Sequence, residues 1–543
     1  MRSAAERLDR VPISVLPVPV LVLMMVMVMV TLIGRVAIAA DGSPVVETRI
    51  GALRGERIEG VEAFLGIPYA RPPVGALRWR APVAMRPWRG AREATAFGTN
   101  CFQDPPVPFG PYTPEFLIRL PVSEDCLYLN VWTPESSARL PVYVFIHGGG
   151  FSSGSGSIPI YDGAHLAAQG AVVVTLNYRL GVLGYLALPA LSRESTRGVS
   201  GNYGLLDIIA ALQWVQHNIA AFGGDPARVT VAGQSAGAAA VNDLLVSPLA
   251  KGLFAGAVAE SGSGVRFAMP TLAQAEAQGE EFERRTGVSS PAGLRALAAA
   301  RVWVLAAAPA GGASAAGSPP ALRYEPVLDG RIVVGDPADP ATPLQVNVPL
   351  LTGFNENDIG IPSGAVTPEA FAAGVRVRYG SMAGRLLTLY PHATLAQATR
   401  SAQQLARDRL MASLLVWAGA RKRQQGQRIY AYLYEHPYPG PARARWGTFH
   451  TSEVPYVFGD LIDRHFTAAD QRISMQLSSY WLRFMRQGAP AAPGSAAWPA
   501  VAAGIDQVMG LGDRPGLRMA VSTRGRLAAL REFIAAHGTL PFL

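Results

Sequence analysis

Val229-Thr230-Val231-Ala232-Gly233-Gln234-Ser235-Ala236-Gly237 is the stretch on which the reading of this chain turns. A short run of strand-forming residues leads into a serine with a glycine two places before it and another two places after it, and residues 236–246 then have helical spacing. A strand that passes through a sharp turn straight into a helix presents the serine hydroxyl at the apex, and the glycines relieve the crowding that such a turn creates. The pattern alone is weak. Gly150-Phe151-Ser152-Ser153-Gly154 fits it equally well, but Ser, Gly, Ser, Ile and Pro follow instead of a helical stretch, so context selects Ser235 and rejects Ser152.

Outward from this stretch, residues 142–146, 171–176, 229–232 and 255–260 read as buried strands, with further strand-like runs at 350–352 and 429–434. Residues 204–221 and 236–246 supply helical spacing between them. Apolar strands alternating with helices predict a mostly parallel sheet covered on both faces. A chain of 543 residues, 49% hydrophobic and 16% charged, can bury a large core. The one low-complexity stretch, residues 306–320, reads as a surface connection, so a single catalytic domain is expected from residue 41 to residue 543.

A serine nucleophile needs a base, a group that fixes the base's tautomer, and donors aimed at the developing oxyanion. His147-Gly148-Gly149-Gly150-Phe151 directly follows the expected strand 142–146, where missing side chains let backbone N–H groups face a substrate oxygen. His147 itself reads as structural. Acid and base are expected after later strands, in the order serine, acid, histidine, which Asp358 and His450 fit. His436 and His465 remain rivals for the base and Glu356 for the acid, because composition does not choose among them.

Arg2, Arg7 and Arg10 precede an apolar run at residues 11–34 and the small-x-small triplet Ala37-Ile38-Ala39. Residues 1–40 are expected to be an export signal cleaved near Ala39 or Ala40; an uncleaved run would make a membrane anchor, the one case in which membrane contact is expected. Cys101 and Cys126 would then face an oxidising compartment, and the even count predicts their pairing. The net charge of +9 is almost all arginine, with Lys251 and Lys422 the sole lysines, and its scatter argues against a nucleic-acid partner. Arg421-Lys422-Arg423, in the helix-like stretch 402–427, reads as a solvated face near a helix C-terminus.

Phe64-Leu65-Gly66-Ile67-Pro68-Tyr69-Ala70, Glu124-Asp125-Cys126-Leu127-Tyr128-Leu129-Asn130, Asn177-Tyr178-Arg179-Leu180-Gly181, Gly201-Asn202-Tyr203-Gly204-Leu205-Leu206-Asp207, Phe222-Gly223-Gly224-Asp225-Pro226 and Pro326-Val327-Leu328-Asp329-Gly330 look like signature runs of one family. Over about residues 50–480 the chain resembles the type B carboxylesterase and cholinesterase-like family. The resemblance implies the α/β-hydrolase fold, with a mostly parallel central sheet, helices on both faces and long loop excursions. It also implies a small-molecule ester substrate and no metal or organic cofactor. His450 becomes the base, because Gly447-Thr448-Phe449-His450-Thr451-Ser452-Glu453-Val454-Pro455-Tyr456 is similar to the family's histidine segment. By the same comparison Gly149, Gly150 and Ala236 supply the oxyanion N–H groups, and Cys101 pairs with Cys126.

Two departures stand out. The family's acid is usually a glutamate, whereas Gly353-Phe354-Asn355-Glu356-Asn357-Asp358-Ile359 places an aspartate there, one methylene shorter. Gln234 stands where the family often has a glutamate beside the nucleophile, and no tryptophan lies between Cys101 and Cys126. Both features point to a general carboxylesterase and away from choline esters. Amide, carbamate and thioester hydrolysis stay open, as does a binding-only relative; the sequence does not specify the oligomeric state. Specificity is expected in loops at residues 102–121 and 266–319.

Overall fold

The computed structural model describes residues 37–38, 42–135, 139–265, 269–307, 322–441, 443–462, 465–491, 497–502, 506–538 and 540–541. The expected leader therefore lies outside the described residues apart from 37–38, as do residues 308–320 of the low-complexity stretch.

Eleven strands form the main sheet among the described residues: β1 (Glu56–Ile58), β2 (Val61–Pro68), β3 (Tyr128–Pro134), β4 (Leu140–Ile146), β5 (Val172–Leu176), β6 (Gly224–Gln234), β7 (Gly256–Glu260), β8 (Leu350–Asn355), β9 (Ile429–Tyr434), β10 (Gln507–Leu511) and β11 (Gly516–Met519). Their spatial order is β1-β2-β3-β5-β4-β6-β7-β8-β9-β10-β11. From β5 through β10 every pairing is parallel, while β1, β2, β3 and β11 join antiparallel at the edges. This is the α/β-hydrolase architecture.

The central parallel strands β5, β4, β7, β8 and β9 are largely apolar and buried because both their faces are covered. Along β4, Val142, Val144 and Ile146 join one core while Tyr143 and Phe145 join the other, as the two-residue repeat of a strand requires. Helices α1 (Tyr203–Asn218), α2 (Ala236–Leu245) and α3 (Leu395–Gln425) pack on the first face, and α4 (Val454–Phe458) and α5 (Ala468–Gln487) on the second. Local chemistry sets their ends: Thr467 and Asp470 form a capping box at the start of α5, and Gly426 and Gly488 close α3 and α5 in left-handed conformation.

Two expectations are corrected. Arg421 is fully buried, not solvated: its guanidinium lies 4.7 Å from the Trp417 ring and donates to the Pro337 carbonyl at 2.8 Å. Burial pulls its pKa down to about 10. Residues 266–319 are not simply a loop, since Leu272–Thr286, Pro291–Ala296 and Ala299–Ala306 are helical; Thr271, capping the first of these with Gln274, supplies the local signal.

Candidate active site

Because β4, β6, β7, β8 and β9 run in parallel, the segments that leave their C-terminal ends meet along one edge of the sheet, where ligands bind in open α/β folds. Ser235 follows β6 directly and has φ +60° and ψ −122°, a conformation rare for a residue with a side chain. The turn closes only because Gly233 and Gly237 flank it. A Cβ on Gly237 would sit 2.0 Å from the Ile146 carbonyl oxygen, and one on Gly233 would sit 2.4 Å from the backbone of Gly237.

The loop after β4 lies against this turn. A Cβ on Gly148 would come within 3.1 Å of the Ser235 Cβ, and Gly149 and Gly150 take positive φ of +102° and +61°. The Gly149 carbonyl accepts from the Ser153 N–H at 3.0 Å, so the loop is folded back on itself and Ser152 sits in a turn rather than at a helix start. Ala236 opens α2, where unpaired N–H groups and the helix dipole favour negative charge. His147 stacks on Tyr178 with ring centroids 4.4 Å apart, its Nδ1 lies 2.8 Å from the Gly148 oxygen, and burial lowers its pKa to about 4. It is a neutral wedge under the loop.

Asp358 and His450, from the segments after β8 and β9, are brought together: His450 Nδ1 lies 2.6 Å from Asp358 Oδ1. Asp358 is buried and holds further donors, with Ile359 N–H on Oδ1 (2.7 Å) and Asn355 N–H (2.9 Å) and Ser261 Oγ (2.6 Å) on Oδ2. Burial alone would raise its pKa, but His450 and these donors outweigh that and hold the carboxyl below its ordinary range. His450, also buried, has the reverse balance: burial lowers its pKa, the Asp358 charge and hydrogen bond raise it, and the net is upward. The Gln234 side-chain amide nitrogen lies 3.1 Å from His450 Nε2.

Two of the three rivals are committed elsewhere. Glu356 pairs with Arg407, and His436 bridges Asp470 (2.8 Å) and Asp513 (3.1 Å). Sequence reading missed Ser261, which follows β7 with φ +57° and reaches Asp358 across 97 positions of chain. It also missed Glu260 and Glu453, two buried carboxyls raised by burial, Glu453 further by its neighbour Glu260, and Asn355, which donates to Glu453 and to the Phe449 carbonyl.

Cys101 and Cys126 form a disulfide. The segment it closes reaches the site twice. Gln103 donates to the Gly154 carbonyl and accepts from the Gly154 N–H, both at 2.8 Å, and the Tyr112 hydroxyl donates to the His450 carbonyl at 3.0 Å. Among the described residues no cluster of three or more His, Cys, Asp or Glu is arranged to hold a metal ion, and no helix is long and apolar enough to cross a membrane.

The pattern described as "Carboxylesterase family" matches residues 42–379 and 380–526, beyond the limits expected from the sequence at both ends. "Fumonisin B1 esterase" of Sphingopyxis macrogoltabida is 36% identical over 86% of this chain and 86% of its own length. "Para-nitrobenzyl esterase" of Bacillus subtilis (strain 168) is 36% identical over 84% of this chain and 92% of its own. "Fatty acyl-CoA hydrolase precursor, medium chain" of Anas platyrhynchos is 33% identical over 86% and 89%. A solved structure titled "PNB ESTERASE" superposes with a TM-score of 0.72 at 33% identity, over 90% of this chain and 99% of that one. The chain belongs to the carboxylesterase family, and it is an enzyme of carboxylesterase type.

Proposed function

We propose that the chain hydrolyses carboxylic esters through an acyl-enzyme on Ser235, with His450 as base and Asp358 as the group that orients it. The observation that carries this reading is the 2.6 Å contact between His450 Nδ1 and Asp358 Oδ1 at the edge of the sheet where Ser235 stands in its strained turn. Asp358 fixes the proton on Nδ1 and leaves Nε2 as the acceptor. Nε2 takes the Ser235 proton as the oxygen attacks the ester carbonyl, then returns it to the departing alcohol; water repeats the cycle and frees the acid. Gly149, Gly150 and Ala236 donate to the oxyanion.

The test is hydrolysis of p-nitrophenyl acetate, butyrate and octanoate by the wild type beside Ser235→Ala. Turnover lost in the variant alone is expected; turnover retained by Ser235→Ala, or absent from both, sinks the proposal. Thioester hydrolysis is a second reading, favoured by the relative named as a fatty acyl-CoA hydrolase, and an acyl-CoA substrate in the same assay addresses it. The apolar run at residues 11–34 and the Cys101–Cys126 disulfide support export of residues 41–543 as the working enzyme.

A further inference from the structure

An open cavity of about 510 Å³ lies between the short helix Ala164–Ala168, the end of α4 and the edge strands β1 and β2. None of Ser235, Asp358 and His450 lines it. Val61, Ile158 and Tyr161 are buried in its walls, while Ile58, Phe97 and Ile462 stand 40%, 42% and 50% exposed around it. Large apolar side chains left exposed around a cavity suit the apolar body of a ligand.

Two carboxyls supply the polar part. Gly459 ends α4 in left-handed conformation and packs on the short helix, where a Cβ added to it would stand 3.0 Å from the His165 Cβ. Asp460 follows, its N–H donating to the Pro455 carbonyl at 3.0 Å, and its side chain lines the cavity. The residue is 6% exposed, and among the described residues no donor reaches its carboxyl. Asp162 Oδ1 accepts from the Ala164 N–H at 2.9 Å, which leaves Oδ2 without a donor among the described residues. Burial and then the neighbouring Asp162 push the Asp460 carboxyl up to about 7, and burial raises Asp162 as well. Glu59 and Arg119, both exposed, offset each other, and His165 is the remaining titratable group of the lining. The surplus charge therefore comes from the two aspartates.

A buried carboxyl with no donor and a second carboxyl beside it calls for a cationic partner. A metal ion suits the place poorly, because among the described residues no third His, Cys, Asp or Glu completes a metal-holding group and the walls are apolar. We propose that this cavity binds an organic ammonium ion, with Asp460 accepting from the cationic head, Asp162 adding negative charge beside it, and an apolar body lying along Ile158 and Tyr161. The site does not depend on which residue is the nucleophile. Where Asp460 is protonated, its proton passes to solvent as the ammonium ion pairs with the carboxylate, so charge is conserved.

The test is calorimetric titration of the full chain with 4-phenylbutylammonium and with neutral 4-phenylbutanol, in the wild type and in Asp460→Asn. The wild type is expected to bind the ammonium ion about tenfold or more tightly than the alcohol, as for a hydrogen bond to a charged group, and the variant to lose that preference. Equal binding of the two by the wild type overturns the proposal, as does a preference kept by the variant, which would put the amine elsewhere. Calcium chloride bound by the wild type in the absence of any amine preference overturns it in favour of a metal site. Should the variant not fold, wild-type titrations at about pH 6, where protonated Asp460 predominates, in two buffers of different ionisation heat decide. Proton release on binding the ammonium ion and none with the alcohol is expected; no release overturns the proposal. No readout requires turnover, so failure here is distinct from failure of the esterase reading.

Discussion

Asp358→Asn is the substitution that bears most directly on the proposed chemistry. The carboxylate accepts on both oxygens, from His450 and the Ile359 N–H on Oδ1 and from Ser261 and the Asn355 N–H on Oδ2. An asparagine has one acceptor oxygen. If its oxygen faces His450, its amide nitrogen meets the Asn355 N–H, donor against donor; if it is flipped, the nitrogen meets both the Ile359 N–H and His450 and forces the wrong imidazole tautomer. Either way one buried N–H is left unsatisfied, costing about 1–3 kcal/mol of stability. The wrong tautomer should lower kcat by on the order of 10⁴, the loss found when a triad aspartate is made asparagine, equivalent to about 5 kcal/mol. The acid limb of the pH–rate profile should also move down, because removing the Asp358 charge leaves burial to lower the His450 pKa, and the enzyme is active only with neutral imidazole. Steady-state hydrolysis of p-nitrophenyl butyrate across pH, with thermal melting as the folding control, reads all three effects. Glu356→Gln is the companion: its partner is Arg407, so the rate should stay within about twofold and stability within ~1 kcal/mol. A folded Asp358→Asn keeping more than about a tenth of wild-type kcat, where ~10⁴-fold loss is expected, would refute the assignment, as would an equal loss in Glu356→Gln.

Three other outcomes are expected. Gln234→Glu places a negative charge 3.1 Å from His450 Nε2 and should raise the acid limb of kcat/KM by about one pH unit, read from the same profile; no upward shift would count against that contact. Gly237→Ala drives a Cβ to 2.0 Å from the Ile146 carbonyl and should cost about 3 kcal/mol or more in denaturant unfolding, so a melt like the wild type's would show the turn to be looser than described. Replacing Cys101 and Cys126 by alanine opens a loop with a sequence separation of 25 and should cost about 3 kcal/mol, measurable by the same unfolding experiment.

What the sequence made legible was whatever is decided locally. The strand read at residues 429–434 is β9, because an unbroken apolar run with clear ends needs no distant information. The run read at 229–232 lies inside a strand that spans Gly224–Gln234, because Gly224 and Gly233 pair with β4 and Gln234 with β7, partners that lie elsewhere in the chain. Ser261 was invisible because its partner is 97 positions away and serines after strands are common. The Arg421 run misled for a related reason: a charge pattern predicts solvent, while Trp417 one turn back and a carbonyl from a remote loop provide an interior site. His450 stood apart from His436 only by resemblance to a family segment. In the structure the difference is physical, for His436 is held by Asp470 and Asp513 while His450 meets Asp358.

The all-parallel middle of the sheet has a consequence for biosynthesis. Each parallel pair needs a long crossover, so these contacts close late and slowly. Ser235 leaves the ribosome long before residue 358, and residue 358 long before residue 450. In the proposed mechanism a nascent chain therefore carries an inert hydroxyl, with neither base nor orienting carboxylate beside it. Hydrolytic power switches on only when the last third of the polypeptide has been made and threaded into place, which spares esters in the compartment of synthesis until folding is nearly complete.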